Sequence, residues 1–475
     1  MSEEYLVSST ALEDLEYRLN QVPYQGIPTG TLISGFLLVE LYLGKSDFSF
    51  KGKLTDIVFR SYIKYYGPKW QRMNKNQTHS EYSNYIGRHL FTITDNRSNF
   101  KGLVTPILNC LKKDKYVVFA NQDTLDPSLL NFISYNDIPS ITLSDWHQRL
   151  TPYFIKWDIV INNWIKDHQI RKWVKYKIIN NLYSQTLLFE SLSCFLKMIK
   201  PISITTEYDR YWFSSALIAA GNSLQIPTYT LMHGVVNNSI GYVPLLANKI
   251  IVWGDRQKEQ LLAYGLDPNN IIVNGAPQLS EKILADKVMI RSQLGITDSK
   301  PVVVFGSCNI SVVDMRNLMN IFCQSFNDQD FFHAFVKLHP SETKEFYSEQ
   351  ISMYKNIKFC DTKELAFEDS FAIADVICVY NSAYGTDALI KDVPVVVIDI
   401  NIAKAGNAAE LIANGIPAAS TPSQVFDTCK RVLSDHAYLE QMQGHMNKYR
   451  KDYCFAFSTE AAALYAKTIC NNINN

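Results

Sequence analysis

From His89 onward the chain keeps one rhythm: a short apolar run, a turn of small or polar residues, then a helix-length stretch. "HLFTITDN" and "KYVVFANQD" read as strands around the helix "GLVTPILNCLKK", and "IPSITLSD" reads as a further strand. A long helical zone at about 150–199 follows. The order then resumes with "ISITTEYD", "WFSSALIAAGNSL" and "PTYTLMHG", then "NKIIVWGD", "RQKEQLLAYGL" and "NNIIVNGAP". A second series opens at "KPVVVFGS" and runs through "HAFVKLHP", "NIKFCD" and "DVICVYNS" to "VPVVVIDI". Strands separated by helices pair in parallel, because the helix supplies the crossover a parallel partner needs. Two such series predict an α/β chain with two doubly wound, Rossmann-like domains facing a cleft. The predicted divisions are an extra N-terminal region at 1–84, a first domain at 85–245, a second at 246–445, and a C-terminal helix at 446–475 returning to the first domain.

A chain of 475 residues is too long for one ordinary core, which agrees with two domains. Lys+Arg and Asp+Glu both total 46, so no global field directs the protein to nucleic acid, and no nucleic-acid partner is expected. Nine cysteines without a CxxC pair fit a reducing compartment. The stretch "MSEEYLVSSTALEDLEYRLN" lacks the basic and apolar layout of a signal peptide. The run "TGTLISGFLLVELYLG" is shorter than a membrane span and carries Glu40. A cytoplasmic protein without a transmembrane helix is the expectation.

Ligands of open parallel sheets bind beyond the carboxyl ends of the strands, so the residues that end strands are the informative ones. They are Glu207 and Asp209, His233 and Gly234, Gly306 and Ser307, Lys337 with His339 and Pro340, and the turn from Tyr380 to Leu389. In that turn Asn381, Ser382, Gly385 and Thr386 lead into a helix whose exposed N–H groups and partial positive charge suit phosphate. The competing reading is that Ser382 or Thr386 only caps the helix. Gly306 would let backbone approach a ligand closely, and His339 either meets that ligand or closes a surface loop. Neither GxGxxG nor GxxxxGKS occurs. The Asp328 and Asp330 pair falls at the amino end of its strand and reads as a loop, so no metal site and no cofactor are expected.

Taken in order, "MHG", "NKIIVWGDRQKEQLLAYGLDPNNIIVNGAPQ", "KLHP" and "NSAYGTDALIKDVPVVVID" resemble GT-B glycosyltransferases of bacterial surface-polysaccharide (capsule and lipopolysaccharide) assembly with a His-Pro motif. The resemblance covers about residues 200–425 and extends to sialyl- and Kdo-type transferases and to CDP-glycerol glycerophosphotransferases. It implies that the first domain takes the acceptor and the second the nucleotide sugar, with no metal. It also implies that His339 contacts donor phosphate or a cytidine nucleotide and that Ser382 and Thr386 grip phosphate, with Lys337, Pro340, Gly306, Ser307, Asn381 and Gly385 around them. A CMP-sugar donor is favoured. No glutamate occurs between Asp375 and Ile400, where retaining UDP-sugar enzymes often carry a pair, and the turn lacks the Thr-Asp-Tyr-Ser-Ser pattern of the teichoic acid enzymes. Inverting and retaining chemistry both stay open.

A hydroxyl acceptor needs a base within hydrogen-bond reach. Asp209 is the first choice, then Glu207, then His233, with a helix N-cap or a salt bridge to Arg210 as the structural alternative for the two acids. The segment "FIKWDIVINNWIKDHQIRKWVKYK" interleaves Lys156, Lys166, Arg171, Lys172, Lys175 and Lys177 with Trp157, Trp164, Trp173 and Tyr176. It reads either as peripheral contact with the inner face of the cell membrane, serving a glycan or lipid-linked glycan acceptor, or as a packed helix with solvated lysines. The other functional readings are a UDP- or GDP-sugar transferase, a CDP-polyol phosphotransferase, a nonhydrolysing sugar-nucleotide epimerase and a non-catalytic glycan-binding scaffold.

Overall fold

The computed structural model describes residues 7–24, 26–37, 41, 84–93, 100–120, 127–136, 138, 140–142, 154–234, 236, 242–283, 285–308, 312–340, 342–400 and 406–471. The chain enters through α1 (Ser9–Asn20) and two short helical turns (Thr29–Leu32 and Ser34–Phe36). Next come β1 (His89–Ile93), α2 (Thr105–Asn109), β2 (Tyr116–Ala120), α3 (Pro127–Tyr135), β3 (Ser140–Thr142), α4 (Phe154–Asp167) and α5 (Val174–Ile199). They are followed by β4 (Ser203–Thr206), α6 (Trp212–Ser223), β5 (Thr228–Leu231), β6 (Lys249–Val252), α7 (Asp255–Ala263) and β7 (Ile271–Val273). These strands form one sheet in the order β3-β2-β1-β4-β5-β6-β7.

The second half holds α8 (Lys287–Gln293), β8 (Val302–Gly306), α9 (Val312–Phe326), β9 (His333–Lys337), α10 (Ser348–Met353), β10 (Ile357–Cys360), α11 (Phe367–Ile373), β11 (Val376–Val379) and α12 (Ala383–Ile390). It continues with β12 (Val395–Ile398), α13 (Asn407–Ala413), β13 (Ala418–Ala419), α14 (Pro422–Ser434), α15 (His436–Tyr453) and α16 (Ser458–Asn471). Its sheet has the order β10-β9-β8-β11-β12-β13. All pairings within both sheets are parallel, as the alternation predicts. The central strands "VVVFG", "VICV" and "VVVI" are buried at every position because helices cover both faces.

Two of the predicted divisions move. β6 and β7 continue the first sheet, so the first domain runs past 245 to about Val273. Residue 446 falls inside α15, which is unbroken to Tyr453; the end of α15 already meets Trp253 and Arg256, and α16 then packs on the first sheet. There Ala462, Tyr465, Ala466 and Ile469 share a core with Phe91 and Val118. The Tyr465 hydroxyl donates to the Gly275 carbonyl at 2.8 Å. Finally, the described part of the N-terminal region is no appendage. Leu12, Leu15 and Leu19 of α1 share a core with Trp157, Trp164 and Ile204, while the polar stretch at 42–83 lies outside the described residues. No helix among the described residues is long and apolar enough to cross a membrane.

Candidate functional site

β8, β9 and β11 are neighbours, so their carboxyl ends deliver three loops to one place. Past the strand ends, the Ser307 N–H still donates to the Lys337 carbonyl at 3.1 Å. The Ser307 hydroxyl donates to the Glu342 carboxylate and accepts from the His339 N–H at 2.7 Å. Glu342 also accepts from the His339 N–H at 3.1 Å and from the Tyr347 hydroxyl at 2.7 Å. A glutamate three residues past the backbone N–H it binds is the logic of a capping box, here used to hold a loop. The His339 loop is therefore preorganised, with His339 half-buried and Pro340 exposed. Glu342 is not among the residues singled out from strand ends, although its i,i+3 spacing from His339 is plain in the sequence.

The turn after β11 is held as firmly. Ser382 is an N-cap, accepting from the Tyr384 N–H at 3.2 Å. Asn407 donates to the Ser382 carbonyl at 2.6 Å, and the Asn381 side chain accepts from the Ala408 N–H at 3.0 Å. Thr386 is buried, bonding Asn407 at 3.2 Å and the Tyr449 hydroxyl at 3.1 Å. Its hydroxyl thus ties helices together. The two glycines also serve the interior: a Cβ on Gly306 would lie 2.2 Å from the Tyr384 ring, and one on Gly385 2.8 Å from Val379. His339, Asn381 and Ser382 are the predicted residues that stand half-exposed on these loops, while Gly306, the buried Ser307, Gly385 and Thr386 shape them from behind. Cys308 lies beside the Asn381 N–H, and burial pushes its thiol up to about 12.

Lys337 ends β9 with its side chain buried, and desolvation lowers its pKa. Its ammonium lies 5.9 Å from the ring centroid of Phe367, which opens α11 and is 45% exposed. An exposed aromatic at this end of the sheet offers a face to a planar ligand. Only the phrase "ELAF", an aromatic at a helix start, hinted at it. Asp387 on α12 was also missed. It is half-buried, its carboxylate accepts no hydrogen bond among the described residues, and burial pushes its pKa up to about 7 against the pull of Lys391. Lys391 itself is paired with Glu368 at 2.9 Å.

In the first domain β4 stops at Thr206, so Glu207 and Asp209 lie beyond the strand and its alternation does not order them. Asp209 is buried, accepting from the N–H groups of Leu246 at 2.9 Å and Ala247 at 3.1 Å, and desolvation raises its pKa. Arg210 is buried beside it and donates to the Pro244 carbonyl. Asp209 therefore ties two loops together, a duty that competes with the predicted role of base. Asp209→Ala is expected to lower unfolding stability by about 1–3 kcal/mol, the cost of orphaned buried donors. Chemical denaturation checks this, and an unchanged midpoint would return Asp209 to the list of free acids. Glu207 is buried too. His233, just past β5, is half-buried, with Tyr208 at 4.9 Å and Tyr242 at 6.2 Å between ring centroids. Of the three it is the most open.

The basic segment splits. Trp157 and Trp164 are buried, and the Trp164 indole donates to the Ala11 carbonyl at 2.7 Å. Lys175 pairs with Asp158 at 2.9 Å. The two indoles are thus packing groups, and Lys156, Lys166, Arg171 and Lys172 form the exposed basic remainder. Asp330 pairs with Lys300 at the amino end of β9, and no group of three or more metal-ligating side chains gathers among the described residues.

No protein-family model and no curated protein matches the chain. Solved structures do. A glycosyltransferase from Rickettsia africae aligns over 81% of this chain and 99% of its own, with a TM-score of 0.51 and 13% identity. HepE of Anabaena, in complex with UDP and glucose, aligns over 82% and 100% with a TM-score of 0.51 and 12% identity. The UDP-GlcNAc 2-epimerase of Neisseria meningitidis, bound to UDP-GlcNAc, aligns over 81% and 99% with a TM-score of 0.52 and 14% identity. The fold is GT-B. His233 follows β5 at the carboxyl end of the first sheet, and the His339 and Ser382 turns follow β9 and β11 at the carboxyl end of the second, the ends where open parallel sheets bind ligands. The neighbours include both transferases and epimerases, so at these identities they speak for the fold and not for the reaction.

Proposed function

We propose that the protein is a nucleotide-sugar-dependent glycosyltransferase whose second domain holds the donor pyrophosphate or phosphate between the His339 loop and the Asn381–Ser382 turn. The knot of Ser307, His339 and Glu342 beside a capped helix start carries this reading. It fixes the His339 backbone in advance, so that the imidazole is carried on a loop that need not reorganise as charge grows on a departing phosphate. His233 is the proposed base, with Phe367 as a platform for the nucleobase and Asp387 as acceptor for donor hydroxyls. The His-Pro resemblance supports a CMP-sugar, whereas several of the fold's neighbours are complexes with UDP, UDP-glucose or UDP-GlcNAc. A glycan or lipid-linked glycan of a bacterial surface is the proposed acceptor, reached from the membrane's inner face through the exposed basic residues.

Thermal unfolding with CMP, CDP, UDP and GDP decides the donor. The correct nucleotide at 100 times its dissociation constant should add about 2.7 kcal/mol. No stabilisation by any of them would overturn the proposal. The second reading, a nonhydrolysing epimerase, rests on the epimerases among the neighbours. It predicts an altered sugar nucleotide without any acceptor, whereas a transferase needs one. Sedimentation with anionic vesicles tests the membrane arm.

A further inference from the structure

Helix α13 has seven residues, and both of its ends are engaged. Its first turn grips the donor-side turn: Asn407 holds the Ser382 carbonyl and the Ala408 N–H holds the Asn381 side chain. Gly406, at φ +94°, makes this approach possible, since a Cβ there would lie 2.8 Å from the Asn381 amide. Its next turn grips the other domain. Glu410 accepts from Arg256 and, at 2.8 Å, from Gln260, both on α7 of the first domain. Arg256 also donates to Asn414 at 3.0 Å.

The same guanidinium lies 5.5 Å from the ring of Tyr449, whose hydroxyl meets Thr386. Two routes thus lead from one arginine to one turn, through α13 and through α12. The Glu410 side chain is only 12% exposed, so solvent screens the pair weakly and neither charge is easily left alone.

We propose that Arg256 is a positioning residue. By bracing α13 against α7 it sets the spacing between the Asn381–Ser382 turn and the first-domain wall, so that donor and acceptor meet in line. The inference rests on the transferase reading for its chemistry. A rigid short helix transmits a displacement at Glu410 to Asn407, and a misplacement of about 1 Å can cost on the order of a hundredfold in rate without touching a reacting group.

The test uses the full chain with Arg256→Met, Glu410→Gln and the reversed pair R256E/E410R. Nucleotide affinity, read by thermal shift with CMP and UDP, should stay within about threefold while kcat falls on the order of a hundredfold. The reversed pair should recover part of kcat. An unchanged kcat overturns the proposal, as does a loss of affinity equal to the loss of kcat with no recovery. The transferase reading fails separately, if no nucleotide stabilises the parent. The spacing is then judged by small-angle scattering, where Arg256→Met must broaden the interdomain distances and an identical profile rejects the brace.

Discussion

His339→Ala should unfold at nearly the temperature of the parent, yet lose most of the stabilisation that the nucleotide confers and turn over on the order of a hundredfold more slowly or worse. The fold should survive because β9 is held by Phe335 and Val336 in the sheet, and Leu338 beyond it is buried. The loop should survive as well, since Ser307 and Glu342 bind the backbone N–H of residue 339 and not its imidazole. Alanine can offer the same N–H. What disappears is one contact aimed at phosphate, worth about 3–4 kcal/mol when it acts on developing charge. Equal nucleotide stabilisation and equal turnover in both proteins would remove the phosphate role, and with it the main reason for the His-Pro resemblance.

Asp387→Asn should do the reverse to stability: it should stabilise the free protein while weakening nucleotide-sugar binding. The folded carboxyl titrates at about 7 against an ordinary value of 3.8, so between these values the folded state binds the extra proton. Stability is then fullest below the ordinary value and is lost as pH rises towards 7. A neutral amide removes that loss, so the variant should gain over the parent at pH 8 and match it near pH 4. A half-buried carboxylate with no hydrogen bond is costly, and such costs gather at binding sites. Urea midpoints against pH check the first half and nucleotide-sugar titration the second. A gain in stability with intact binding would make Asp387 an ordinary misfit.

The strands were legible because their signal is local. "VVVFG", "VICV" and "VVVI" are buried on both faces, and that environment writes itself into consecutive apolar residues. Strand-end loops were legible for the same reason, since β8, β9 and β11 end where their apolar runs end. Side-chain duty was not. Asp209 and His233 both follow strands, but only the third dimension shows Leu246 and Ala247 placing their N–H groups on the aspartate. Gly306 read as a ligand approach because the Tyr384 ring that needs its space lies 78 positions away in the chain. The domain division slipped at 245 because β6 and β7 look alike whichever sheet they join.

The path of α16 bears on how the protein comes into being. Ala462 and Tyr465 complete a core that Phe91 and Val118 began and that Ile107 and Leu129 cover only in part, so it stays incomplete until α16 is made. At roughly 5–20 residues per second, the wait between the two is on the order of half a minute. The opening domain therefore stays unfinished until α16 has been made, and that helix is the one that seals it.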